Sequence, residues 1–170
     1  MDAVAIEIER KFRVLDAGWQ AGVVKSVRMA QGYINDMDAL RAGRQNASVR
    51  VRIAGDQAFL NLKSRELGRS RQEFDYAIPV ADAQALLALC VGGLIDKVRH
   101  YIPQDDLTWE VDEFAGDNAG LVVAELELPT VDKAFARPAW LGREVTEEQR
   151  FYNLALAERP YSRWSALEQT

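Results

Sequence analysis

Charged and apolar side chains alternate along most of the segments that the sequence predicts as β-strands. Neighbouring residues of a strand point to opposite faces of the sheet, so an alternating segment separates its charges from its apolar groups. In the first such segment, Glu7, Glu9 and Lys11 share one face, and Ile8 and Phe12 share the other. Seven of the eight predicted strands divide in this way, which constrains the chain to a sheet whose two faces have different environments.

The predicted elements favour a mainly β (α+β) fold in a single domain, residues 1–170. Strands are predicted at 4–14, 28–35, 47–54, 57–64, 70–78, 94–103, 107–114 and 120–129. A helix is predicted over 81–90, a helical turn over 16–23 and a mobile loop over 36–46. In the C-terminal segment, about 130–170, a capping box from Thr146 to Gln149 predicts a helix that Pro160 ends. Eight antiparallel strands with short connections favour a closed barrel, which has no exposed edges.

The charges are also sorted by sign. Acidic pairs occur at 7/9, 110/112 and 125/127, and basic pairs at 50/52 and 97/99. For any single strand, a charged face turned toward solvent explains the alternation. Like charges two residues apart on a strand are about 7 Å from each other and repel, however, so solubility alone would favour mixed signs on one strand. We therefore predict an inverted barrel with a charged interior, wide enough for one small ligand, and helices over its apolar wall. The acidic pairs suit a divalent cation and the basic pairs suit successive phosphates.

Composition argues against several functional classes. The net charge of −5, from 21 basic and 26 acidic residues, argues against a nucleic-acid partner. A single His100 and a single Cys90 argue against zinc sites and Cys/His catalysis. Neither glycine-rich phosphate loop occurs, so an anion site must be built from side chains. Without a secretory signal pattern or a long apolar run, we expect a cytoplasmic protein with no membrane partner.

An ordered set of motifs resembles the CYTH superfamily, the triphosphate tunnel metalloenzymes. The E-x-E-x-K signature of that family corresponds to Glu7-x-Glu9-x-Lys11. The motifs that follow, in the order of the family, are Arg50-x-Arg52, Lys63, Arg71-x-Glu73, Lys97-x-Arg99 and Glu125-x-Glu127. Segments 109–116 and 140–146 also resemble the family, so the resemblance covers nearly the whole chain.

The resemblance implies a tunnel of eight antiparallel strands, dependence on Mg²⁺ or Mn²⁺, and a small triphosphate substrate. It implies that Glu9, Glu125 and Glu127 hold the activating metal, while Glu7 holds a second metal or orients the attacking water. We interpret Glu110 and Asp112 first as carboxylates that orient neighbouring Arg and Lys side chains and second as metal ligands, with Asp112 the better metal candidate of the two. The implied phosphate-binding residues are Lys11, Arg50, Arg52, Lys63, Arg71, Lys97 and Arg99.

Tyr33 has two interpretations. It shares strand parity with Gln31 and, in the predicted barrel, points inward near Lys63. A Tyr–Lys pair would assist the attack of water, which makes both residues catalytic candidates; the other interpretation is a packed tyrosine. His100 lies on the face opposite Lys97, so we interpret it as structural.

Hydrolysis of inorganic triphosphate to pyrophosphate and phosphate is our first choice of function, although fold alone does not choose among the activities of the family. An adenylyl cyclase or a thiamine or nucleoside triphosphatase is the alternative within enzymes. The chain has no obvious base-recognition element and lacks a His-Phe motif that we associate with the cyclases. A non-catalytic polyphosphate-binding module is the alternative of another class, but it would not need the acidic residues. The oligomeric state stays open, with a homodimer among the alternatives.

Overall fold

The computed structural model describes residues 8–64 and 72–170. These residues divide into two compact units, the first comprising 29–64 and 72–95 and the second comprising 8–28 and 96–170. The strands are β1 (Ile8–Val14), β2 (Lys25–Tyr33), β3 (Ala47–Ala54), β4 (Gln57–Ser64), β5 (Glu73–Ile78), β6 (Val91–Gln104), β7 (Leu107–Phe114), β8 (Val122–Leu128) and β9 (Leu141–Glu144). The α-helices are α1 (Met37–Arg41), α2 (Val80–Leu87) and α3 (Asn153–Glu158).

The first unit is an antiparallel sheet with the strand order β5–β4–β3–β2. A two-residue turn joins β3 to β4, and Gly55 adopts a positive φ of 61° there, a conformation that favours glycine. On the apolar face, Val51 and Ala58 are buried against Ala83 of α2. The amphipathic strands therefore turn their apolar side toward a helix and their charged side away from it.

The second unit is an antiparallel sheet with the strand order β6–β7–β8–β1–β9. Phe12, Trp109 and Leu126 form the centre of its apolar core. Trp19 from the 3₁₀-helix Ala17–Gly22 covers this core. The rings of Phe12 and Trp109 pack edge to face with centroids 5.6 Å apart, a preferred geometry for aromatic pairs. This unit also covers its apolar face with flanking segments.

The predicted mainly β, antiparallel class is confirmed, and each of the eight predicted strands has an observed counterpart. Parts of the predicted strands 4–14 and 70–78 lie outside the described residues. The helix predicted at 81–90 is α2, and the turn predicted at 16–23 is a 3₁₀-helix. Within the described residues, the strands of each unit form an open run, so the closed eight-stranded barrel is not confirmed.

Three local predictions are wrong. No strand was predicted in the C-terminal segment, but this segment contains a ninth strand, β9. It pairs with β1 and places Glu144 opposite Phe12. The capping box at Thr146 does not form, because the Thr146 hydroxyl instead accepts a hydrogen bond of 3.0 Å from the backbone amide of Lys11, and α3 begins later, at Asn153. The segment predicted as a mobile loop contains α1, which the Asp36 carboxylate caps at its N-terminus.

None of the helices in the described part of the chain has the length and apolar character of a membrane-spanning helix.

Candidate functional site

Four neighbouring strands of the second unit present their charged side chains on one face. Residues directly opposite each other on antiparallel strands point to the same side of the sheet. The opposed pairs are Arg99–Asp112, Glu110–Glu125, Lys11–Glu125 and Glu9–Glu127. Because the apolar core lies on the other side of these strands, the second unit has the sidedness that the alternation predicted.

Asp112 is the most enclosed carboxylate of this charged face, with no exposed surface. It accepts hydrogen bonds from Lys97 Nζ at 2.5 Å, Arg99 Nε at 2.7 Å and Arg99 Nη2 at 2.8 Å. Burial alone would raise the pKa of Asp112, but the charges of Lys97 and Arg99 outweigh it and hold that pKa well below its usual range. Asp112 is therefore an ionised counter-ion that orients the two cations.

Lys11 forms a second centre of charge on the same face. Its ammonium group contacts Glu9 Oε1 and Glu125 Oε1, each at 2.5 Å, and the centroid of the Tyr152 ring lies 4.7 Å from Nζ. Burial opposes the charged form, but the attraction of Glu125 and then Glu9 prevails, so the pKa of Lys11 is raised. Glu125 also accepts from Arg99 Nη2 at 2.8 Å, which connects the Lys11 and Asp112 centres into one network.

Glu110 differs from Asp112 and Glu125 in the direction in which its pKa is shifted. Burial raises its pKa, and the negative charges of Glu125 and Asp112 add to this effect although the contact with Arg99 opposes it. Glu110 is therefore easier to protonate, in contrast to Asp112 and Glu125, whose pKa values are lowered.

The carboxylates of this face supply oxygen donors, which Mg²⁺ and Mn²⁺ prefer. Glu9 and Glu127 are opposite in register, and such residues have Cβ atoms about 4.5–5.5 Å apart. Glu127 is exposed and 30% of the Glu9 side chain is exposed, so both are accessible to an ion. In the described ranges, however, no three Asp, Glu, His or Cys side chains are grouped to hold a metal ion. The donor chemistry thus fits, but a metal would compete with Lys11 and Arg99 for Glu125.

Two of the predicted site residues, Glu7 and Arg71, lie outside the described residues. Of the predicted metal ligands, Asp112 and Glu125 are engaged by cations instead of being assembled into a metal cluster.

The first unit carries a charged face of its own, built by β2, β3 and β4. Arg50 Nε donates to Asn61 Oδ1 at 3.1 Å, and Arg52 Nε donates to Gln31 Oε1 at 2.9 Å. Gln31 and Arg52 are opposite in register, as are Arg50 and Asn61. Neutral amides therefore hold the two predicted phosphate-binding arginines by their Nε atoms.

Tyr33 and Lys63 lie on this face but are not opposite each other. Tyr33 is buried and faces Arg50 in register. Lys63 faces Ser48 and contacts Glu73 Oε1 at 3.3 Å. The register therefore does not show the predicted Tyr–Lys pair, and the catalytic role of either residue stays a prediction.

Comparison with known proteins identifies the family. The model of the CYTH domain matches residues 5–160. The chain belongs to the CYTH family. An inorganic triphosphatase of Acetivibrio thermocellus is 43% identical over 157 residues, covering 91% of this chain and 95% of that protein. An inorganic triphosphatase of Nitrosomonas europaea is 37% identical over 155 residues, covering 89% of this chain and 96% of that protein.

Two solved structures are similar to this chain in fold. A crystal structure of an inorganic triphosphatase shares 33% identity, covers 90% of this chain and 95% of its own, and superposes with a TM-score of 0.68. A candidate adenylyl cyclase from Hippeastrum with a dominant triphosphatase activity shares 16% identity over 73% of this chain and 80% of its own, with a TM-score of 0.55. The second likeness shows the fold alone.

The charge motifs of the sequence did not identify several other polar residues that contact the two charged faces. Gln31 and Asn61 occupy charged-face positions but carry no charge, and strand parity is the signal that could have found them. Tyr152 lies outside the strands, and no pattern in the sequence connects it with Lys11.

Proposed function

We propose that this CYTH protein is an inorganic triphosphatase, which hydrolyses triphosphate to pyrophosphate and phosphate. The observation that carries the proposal is the network on the charged face of the second unit, in which Lys11, Lys97 and Arg99 alternate with Glu125 and Asp112. Supporting it are the two inorganic triphosphatases that share 43% and 37% identity with this chain.

Cationic side chains suit this reaction because phosphoryl transfer needs mainly positioning and neutralisation of charge. Lysine and arginine donate charge-assisted hydrogen bonds to phosphate oxygens, and arginine does so with a rigid fork. Within the proposal, the residues that bind phosphate oxygens are Lys11, Arg50, Arg52, Lys63, Arg71, Lys97 and Arg99. Closure of the strands into a tunnel also belongs to the proposal.

The acidic residues are assigned to a divalent metal, Mg²⁺ or Mn²⁺. Glu9, Glu125 and Glu127 are the proposed ligands, with Glu7 and Asp112 as further candidates. A bound divalent ion neutralises phosphate charge and makes a water molecule more acidic. The ionised Asp112 holds Lys97 and Arg99 toward the substrate, which its three hydrogen bonds support.

In the proposed reaction, water attacks the terminal phosphorus atom and the bond from that phosphorus to the bridging oxygen breaks. The water oxygen forms the new bond to that phosphorus and yields orthophosphate, the bridging oxygen leaves with pyrophosphate, and the proton lost by the water passes to solvent. Glu7, which orients the water, and Tyr33 with Lys63 are the proposed catalytic residues.

The deciding experiment measures phosphate release from inorganic triphosphate, ATP and thiamine triphosphate, each with Mg²⁺, Mn²⁺ or a chelator. We expect metal-dependent turnover of inorganic triphosphate above the other two. Preferred turnover of thiamine triphosphate or ATP, or formation of cyclic AMP, would refute the assignment in favour of another CYTH activity. Tight binding without turnover would instead indicate a binding module.

Replacement of Glu9 by Gln tests the metal assignment. Because the amide removes a negative oxygen donor, we expect Glu9→Gln to abolish metal-dependent phosphate release. Glu113→Gln is the matched control, since Glu113 is exposed and follows Asp112 on β7, so its side chain points to the opposite face. Thermal unfolding of both variants checks that they fold. Near wild-type turnover of a folded Glu9→Gln variant would refute the role.

A further inference from the structure

Gln31 is a fully buried polar residue on the charged face of the first unit. It lies on β2 directly opposite Arg52 of β3, and Arg52 Nε donates a hydrogen bond of 2.9 Å to Gln31 Oε1. The neighbouring position on the same face, Tyr33, is opposite Arg50. Gln31 thus lies beside the two arginines of the Arg50-x-Arg52 motif.

The contact with Arg52 fixes the orientation of the Gln31 amide. Arginine Nε carries a hydrogen and can only donate, so the atom that faces it must be the amide oxygen. The amide nitrogen, Nε2, is therefore directed elsewhere, and no residue in the described part of the chain accepts a hydrogen bond from it. A buried donor without an acceptor lowers stability, which indicates that the amide is retained for a partner outside the chain.

The chemistry of that partner follows from the atoms that would meet it. Nε2 only donates, and the adjacent Arg50 and Arg52 also only donate and are cationic. An anionic oxygen satisfies all three side chains, whereas a metal ion satisfies none of them. Gln31 has no exposed surface, so contact with an anion requires a local movement of neighbouring side chains, which a rotamer change allows.

We propose that Gln31 is a substrate-binding residue, donating from Nε2 to a phosphate oxygen of triphosphate beside Arg52. This assignment rests on the proposed function, because it takes triphosphate as the anion. A direct contact differs from a role in which Gln31 only orients Arg52, and a double-mutant cycle separates the two.

The experiment replaces Gln31 by Met, which has a similar volume, in the wild-type and the Arg52→Met backgrounds. The Kd of inorganic triphosphate is measured by calorimetry in the presence of a chelator, and KM is measured with Mg²⁺. We expect Gln31→Met to weaken binding about tenfold in both backgrounds, since a hydrogen bond to a charged oxygen is lost each time. The control is Gln57→Met, at the exposed start of β4, for which the Kd should not change.

Two different results would overturn the proposal. An unchanged Kd for Gln31→Met shows that the amide does not meet the anion, and an effect that disappears in the Arg52→Met background shows that Gln31 acts only through Arg52. If Gln31→Met does not fold, Gln31→Glu keeps the shape and the acceptor for Arg52 while removing the donor, and an unchanged Kd there again overturns the proposal. Wild-type protein that binds triphosphate without releasing phosphate refutes the proposed function, whereas the Kd comparison still decides the role of Gln31.

Discussion

Asp112→Asn tests whether ion pairs hold the charged face of the second unit together. The substitution keeps the volume of the side chain but removes its negative charge. Lys97, which is fully buried, loses the carboxylate that it contacts at 2.5 Å. Arg99 loses the carboxylate to which it donates from Nε and Nη2.

The expected loss of stability is about 3 kcal/mol. Removing one partner of a buried ion pair costs about 3–5 kcal/mol, because the other charge stays buried without compensation. The lower end applies here since Arg99 keeps its contacts with Glu110 and Glu125. For a chain of 170 residues, this loss lowers Tm by about 6–12 °C.

The pH dependence of the loss follows from the depressed pKa of Asp112. A carboxyl group whose pKa is lower in the folded state stabilises the fold above its unfolded pKa, and that stabilisation is lost as the pH falls through the folded value. The folded pKa of Asp112 lies well below its usual range. The difference in free energy of unfolding between wild type and Asp112→Asn should therefore be constant from about pH 6 to pH 8 and shrink only in strong acid.

Urea unfolding with linear extrapolation measures this free energy. The control is Asp106→Asn, because Asp106 forms an exposed ion pair with Lys133 at 2.6 Å, and exposed pairs add little to stability. The reasoning is refuted if Asp112→Asn loses no more stability than Asp106→Asn, or if its deficit grows as the pH falls.

Three further predictions concern the strand β9, the C-terminal segment and the metal. Gly142→Ala should cost about 1–3 kcal/mol in thermal unfolding, because its Cβ would lie 2.9 Å from the backbone oxygen of Arg13; an unchanged Tm would contradict this packing. Tyr152→Leu should raise KM for triphosphate about two- to fivefold by removing the ring beside Lys11, whereas Tyr152→Phe keeps the ring; equal KM values for both variants would argue against the contact. Mg²⁺ and triphosphate should increase each other's affinity by the same factor in reciprocal titrations, and independent binding would contradict a shared site.

The strands were predictable where short-range pattern and turn chemistry agree. β3 and β4 occupy the predicted ranges 47–54 and 57–64, because alternating residues flank a two-residue turn that begins with Gly55. β9 was not predictable, since four residues carry too little periodicity and the strand depends on pairing with β1. The capping box failed because the tertiary hydrogen bond from Lys11 engages the Thr146 hydroxyl.

Membership of the charged faces was predictable, but the contacts within them were not. Strand parity correctly grouped Lys97, Arg99 and Asp112 on one face. The interpretation of Asp112 as a carboxylate that orients Arg and Lys side chains agrees with its contacts, but parity did not identify Lys97 and Arg99 as its partners, because the alignment of neighbouring strands is set by the register of the folded sheet. Nor did it indicate that Glu125 would be engaged by Lys11, since that contact depends on the pairing of the distant strands β1 and β8.

The ion-pair network of the second unit gives a physical reason why a metal ion and triphosphate would bind better together than separately. A metal ion that takes Glu125 from Lys11 leaves a buried ammonium group without part of its compensating charge, which is costly. A phosphate oxygen that takes Lys11 likewise leaves the buried carboxylate of Glu125 without part of its compensating charge. If both ions bound together, Glu125 would hold the metal and Lys11 would hold the phosphate, so each buried charge would exchange one partner for another. On the proposed function, the ion pairs of this face therefore favour the metal–triphosphate complex over either ion alone.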